Sequence, residues 1–120
     1  MSDSPNGRSL LRAYQGVLAA DIDIDEYGAL MERVHVHATG ALQRTEARSQ
    51  RAWRSFSEEQ REASNRLIDG LSSLLDGVEA MYRYLDSGDF EDVRGGFEVA
   101  REGFSMLKHA GRDLEQTVTS

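Results

Sequence analysis

Apolar residues recur along most of this chain at alternating steps of four and three, the spacing that gathers side chains on one side of an α-helix. The pattern is clearest over residues 57–86. There Leu67, Leu71, Leu74, Val78, Met81 and Leu85 fall on one stripe, and Ile68, Leu75 and Tyr82 widen it. A stripe that broad, on a heptad beat, predicts a bundle or coiled-coil helix with more than one neighbour. Ser57 and Gln60, following Phe56, mark its start as a capping box. Phe90, Val93, Phe97, Ala100, Phe104, Leu107, Leu114 and Val118 repeat the beat over residues 89–118, with Gly111 where an apolar side chain is missing. Ser87-Gly88-Asp89 separates the two stripes. Gly88 suits the left-handed residue that ends a helix, Asp89 suits the next N-cap, and Glu91 and Asp92 stand in a positive first turn. So short a turn between two such faces predicts an antiparallel helical hairpin.

Another helix is predicted over about residues 24–55. Asp23 and Glu26 fit a capping box, and Ile22 and Tyr27 fit the hydrophobic staple beside it. Its apolar positions are Tyr27, Leu30, Met31, Val34, Ala38, Ala41 and Leu42, resuming at Ala52, Trp53 and Phe56 after a polar stretch from Gln43 to Arg51. Gly40 is a candidate break. The region 49–57 admits two outcomes. If it turns, the chain folds back on itself; if it stays helical, residues 25–86 form one long helix that needs another subunit to cover it. Residues 9–20 read as a short helix capped by Ser9, with Leu10, Tyr14, Val17 and Leu18 on one face. The expected fold is therefore all-α: an antiparallel bundle of three long amphipathic helices at about 24–55, 57–86 and 89–118, with a short N-terminal helix at 9–20. A flexible tail over residues 1–8, holding the one proline, Pro5, precedes a single domain over 9–120.

Composition narrows the function classes. At 120 residues the chain is one domain's worth. Apolar residues make up 39% and the mean hydropathy is −0.55. The longest apolar runs are only a few residues, so membrane insertion is not expected. The first residues lack the basic-then-apolar pattern of a secretory signal, which makes the cytoplasm the expected compartment, with export lacking a cleaved signal left open. With no cysteine, disulfides, iron–sulfur clusters, thiolate zinc sites and thiol nucleophiles are excluded. A net charge of −7 argues against nucleic acid as a partner, since phosphate binding needs a dominant cationic surface. Of the 14 basic residues 13 are arginine, a bacterial-like skew that a GC-rich genome produces and that carries no functional message.

Three clusters carry candidate chemistry. Asp21, Asp23, Asp25 and Glu32 stand at relative positions 1, 3, 5 and 12 between two helices. That spacing resembles the calcium loop of an EF-hand, and the resemblance implies Ca²⁺ held by these carboxylates. Glu26 stands where that loop has a turn glycine, Gly28 stands where it has an aliphatic residue, and no second loop occurs. Acidic residues at a helix N-terminus also follow from the helix dipole alone. Glu32 and His35 form one Glu-x-x-His pair, similar to half of a ferritin-like di-metal site, whose second half a symmetric dimer would supply. His37 falls on a different side of the helix. Arg44, Arg48 and Arg51 follow at steps of four and three, with Arg54 and the only tryptophan, Trp53, nearby and only Glu46 opposing them. This one basic patch on an acidic chain suits an acidic partner segment or a phosphate.

Two further local patterns resemble known families. Tyr84-Leu85-Asp86-Ser87-Gly88-Asp89-Phe90, with Phe97 and Ala100, is similar over about twenty residues to the inter-helix turn of a tetratricopeptide repeat. Gly77, Ala80 and Met81 replace that repeat's upstream signature and no second repeat follows, so the likeness is one of hairpin physics. Trp53-Arg54-Ser55, with Tyr82 and Asp86 downstream, resembles the turn and tail signal of the small secreted helical hairpins named for a Trp-x-Gly turn. Here Ser55 replaces the glycine, the tyrosine lies closer to the tryptophan than usual and another helix follows.

No phosphate-cradling loop or nucleophile–base arrangement stands out, and no cofactor is implied. The expected function is non-enzymatic: a protein–protein interaction or assembly module, self-associating through its heptad-spaced helices. The alternatives are a metal-binding helical protein and a small helical-hairpin secretion substrate.

Overall fold

The computed structural model describes the backbone of residues 5–119 and the side chains of residues 5–110. Four α-helices follow one another: α1 (Pro5–Ala19), α2 (Ile24–Ala52), α3 (Glu58–Ser87) and α4 (Phe90–Thr119), with one turn of 3₁₀-helix, Trp53–Ser55, between α2 and α3. They form the expected antiparallel all-α bundle, 49 × 21 × 19 Å. α1 begins at Pro5, four residues before Ser9, which lies buried inside it. Proline suits a first helical turn because its missing N–H would have no partner there and its φ is already helical. The tail expected over residues 1–8 is therefore helical from Pro5 onward; residues 1–4 and the side chains of Gly111, Leu114 and Val118 lie outside the described residues. Gly40 does not break α2.

The ends of the helices follow local chemistry. Asp23 accepts a hydrogen bond from the Glu26 N–H at 2.7 Å. At 53–57 the chain turns. Phe56 is extended, and its N–H reaches the carbonyls of Ala52 (3.1 Å) and Trp53 (3.2 Å). Ser57 Oγ then accepts from the Gln60 N–H at 3.1 Å, while Gln60 Oε1 accepts from the Ser57 N–H at 2.8 Å, a reciprocal capping box. Gly88, at φ 65°, ends α3 and donates its N–H to Tyr84 at 2.9 Å. α1 ends in a Schellman turn: Asp21 N–H donates to Gly16 O (2.9 Å) and Ala20 N–H to Val17 O (3.2 Å), with Ala20 itself left-handed at φ 56°.

α3 and α4 form the hairpin and pack most closely. α2 lies along α3, and the short α1 bridges α2 and α4 on the side opposite α3. The core runs through all four helices: Leu10 and Ala13 from α1, Tyr27, Met31 and Val34 from α2, Leu74, Val78 and Met81 from α3, Val93, Phe97 and Ala100 from α4. Tyr14 stacks on Phe97 with ring centroids 4.4 Å apart, holding α1 against α4. The buried Tyr27 hydroxyl donates to the Met81 carbonyl at 2.7 Å, tying α2 to α3. Stripes too broad for a hairpin to bury alone thus find cover in α1 and α2.

Candidate functional site

A four-helix bundle needs four helices of matching length. α1 has 15 residues against 29 or 30 in each of the others. Its N-terminal turn stops beside the middle of α2, where Asn6 Oδ1 meets His37 Nδ1 at 3.1 Å. From His37, α2 continues to Ala52, roughly 22 Å farther at 1.5 Å per residue. Among the described residues no helix occupies the fourth position alongside that stretch. An open groove of about 1240 Å³ begins there. Its floor is apolar, built from Ala38, Ala41, Leu71, Leu74, Phe104 and Leu107. One rim comes from α4 and alternates in charge: Glu98, Arg101, Glu102, Lys108. The other comes from α2, starting at His37.

The basic patch lies farther along α2, beyond the groove's lining, which on that helix ends at Ala41. Residues 37, 41, 44, 48 and 51 follow the helical steps of four and three, so Arg44, Arg48 and Arg51 extend the line that His37 and Ala41 begin. All three arginines are exposed and make no ion pair with any described residue. Arg44 lies back along α2 over Gly40, where a Cβ would stand 3.0 Å from its guanidinium. Trp53 is instead part of the α2–α3 turn. It is half-buried, its carbonyl accepts from Arg61 Nε at 3.1 Å, and the Arg61 guanidinium sits 5.3 Å from the indole centroid. Arg54 is exposed in the same turn.

The acidic residues at the α1–α2 junction have separate occupations. Asp21 pairs with Arg12 at 2.9 Å, and Arg12 also reaches the Asp21 carbonyl at 3.3 Å and Glu26 at 3.5 Å. The Asp21 hydrogen bond, and then the two carboxylate charges, raise the pKa of the exposed Arg12. Asp23 caps α2, and Asp25 and Glu32 are exposed. His35 turns to α3, 3.9 Å from Glu79 and edge-on to Tyr82, rather than pairing with Glu32. Burial pushes the Tyr82 hydroxyl above its ordinary pKa, and the charge of Glu32 adds to the shift. Among the described residues no three His, Asp or Glu side chains converge where a metal ion would fit.

The groove floor was not singled out by sequence reasoning. Its signal was the mismatch between a short first helix and three long ones. Residues 43–51 read as a fading stripe, and among the described residues no helix faces them on the side opposite α3. None of the described helices is long and apolar enough to cross a membrane. Compared with known proteins, the chain matches no family model, no curated sequence and no solved structure.

Proposed function

We propose that this chain is a non-enzymatic protein–protein interaction module that takes up a helix in the unfilled quarter of its bundle. The observation that carries this reading is the groove beyond Pro5. It has an apolar floor and polar rims, and among the described residues no fourth helix lies in it. Ala38, Leu71 and Leu74 are already buried, but Ala41, Phe104 and Leu107 are only half-buried; covering these three is stabilising, and an amphipathic helix has the shape to do so.

The test is photo-crosslinking in the cells that make the protein. A photoreactive residue replaces Ala41 or Lys108 at the groove, or Asp76 on the outside of α3. Discrete protein adducts from the two groove positions, and none from Asp76, are expected. An adduct of twice the chain's mass would make the module self-assembling. No adduct from either groove position, or the same adducts from all three, would end the reading.

A further inference from the structure

We infer that the groove is covered by a second copy of this chain, its α4 lying antiparallel to the first about a two-fold axis that passes near residues 101–103. This rests on the groove being a docking site; what it adds is the occupant. The α4 rim carries Glu98, Arg101, Glu102 and Lys108, all exposed. Their order of charge is minus, plus, minus, plus in one direction and the complement of that in the other. Two antiparallel copies therefore set Glu98 against the partner's Lys108 and Arg101 against the partner's Glu102, and the two-fold axis repeats both pairs. The midpoint of 98 and 108 and that of 101 and 102 lie about 2 Å apart along α4, well within the reach of arginine and lysine side chains. A parallel pairing would set like charges against like.

These groups are available for such pairing. Arg101, Glu102 and Lys108 make no ion pair with any described residue, and Glu98 meets only Arg94, at 3.5 Å. The four charges also cancel. On a chain of net charge −7, a rim that brings no net charge to the contact is where a second copy is least repelled. A rim of mixed sign selects neither a uniformly acidic nor a uniformly basic foreign helix; the pattern it complements is its own, reversed.

Apolar contact falls at the same place. Phe104 is half-buried on the groove floor and stands within three residues of the axis, so the two rings of a pair approach one another across it. Ala41 and Leu107, also half-buried, flank it. The aliphatic stems of the partner's Arg101 and Lys108 cover them while their charged ends stay at the rim.

The experiment compares the full chain with two charge variants. Arg101→Glu with Lys108→Glu makes the rim all acidic; Glu98→Lys with Glu102→Lys makes it all basic. Both are checked for fold by circular dichroism, and molar mass is read by light scattering from micromolar to submillimolar concentration. The unaltered chain is expected to dimerise, each variant to dimerise roughly tenfold or more weakly, and an equimolar mixture of the two variants to recover a dimer holding one of each. If either variant failed to fold, the dissociation constant of the unaltered dimer would decide. It should rise roughly tenfold at about 1 M salt, and a dimer indifferent to salt would overturn the inference. A dimer that both variants leave intact places the contact elsewhere and overturns it, as does a mixture that stays monomeric. An unaltered chain that is monomeric throughout overturns it as well. Adducts to a different protein from positions 41 and 108 would then keep helix docking in the groove standing, and no adducts from either would end both.

Discussion

Gly77 of α3 and Gly96 of α4 meet backbone to backbone: a Cβ on Gly77 would stand 2.5 Å from the Gly96 carbonyl oxygen, and one on Gly96 would stand 2.6 Å from that of Gly77. One heptad farther from the turn, Gly103 repeats the arrangement, its Cβ position 2.8 Å from the Gly70 carbonyl oxygen. Ala63 and Ala110, both fully buried, stand one heptad beyond that in the same register. Small residues every seventh position on both helices let the hairpin close more tightly than side-chain ridges would allow. Gly95, next in sequence to Gly96, faces open space, with nothing within 4 Å of its Cβ position.

That difference predicts opposite effects from neighbouring substitutions. Gly95→Ala should raise stability by about 0.5–1 kcal/mol through helix propensity and reduced freedom of the unfolded chain. Gly77→Ala and Gly96→Ala should each lower it, by about 3 kcal/mol, because backbone atoms rather than flexible side chains must move. Urea unfolding of the three variants reads this directly. Equal stabilisation at positions 95 and 96 would contradict the close approach.

Ala20 takes a left-handed conformation that suits glycine. Ala20→Gly is expected to raise the unfolding free energy by about 0.5–1 kcal/mol, the relief of Cβ strain outweighing the greater freedom of the unfolded chain. A lowered thermal midpoint would show that α1 does not end in this turn.

Burial first, and then the charges of Tyr84 and Asp92, hold the Tyr27 hydroxyl well above its ordinary pKa of 10. Folding therefore favours the protonated phenol. Its contribution is complete below pH 10 and is lost as pH rises from there toward the folded-state value, at up to about 1.4 kcal/mol per pH unit. Tyr27→Phe removes the 2.7 Å bond to Met81 and should cost about 1–2 kcal/mol at pH 7. It should also make unfolding less sensitive to pH between 10 and 12. An unchanged alkaline slope would mean another group governs it.

Ser57→Ala breaks the reciprocal cap of α3 and should cost about 1 kcal/mol. Denaturant titration of this variant also tests the turn at 53–57. In a helix continuous through position 57 alanine would be neutral or stabilising.

The heptad stripes of α3 and α4, their turn at Gly88 and the caps at Asp23 and Ser57 were legible in the sequence, because helix periodicity and capping depend on residues within a few positions of one another. The start of α1 was less legible. Ser9 resembles a cap, but its burial between helices admits a helix that begins earlier, at Pro5. The acidic run resembled a calcium loop through spacing alone. Its carboxylates are directed apart by Arg12, brought in from nine residues upstream, and by the cap that Asp23 supplies.

By itself, then, the sequence determined a cysteine-free, all-helical chain of amphipathic segments, with a line of arginines on α2 that local pattern alone could place on one face. Whether residues 49–57 would turn, which glycines would press together and which the solvent would keep, and which side of α2 would go uncovered were decided by tertiary structure. Each depends on how long one helix is relative to another and on which backbones meet in space. Those relations join residues such as Asn6 and His37, or Gly77 and Gly96, that no local pattern couples.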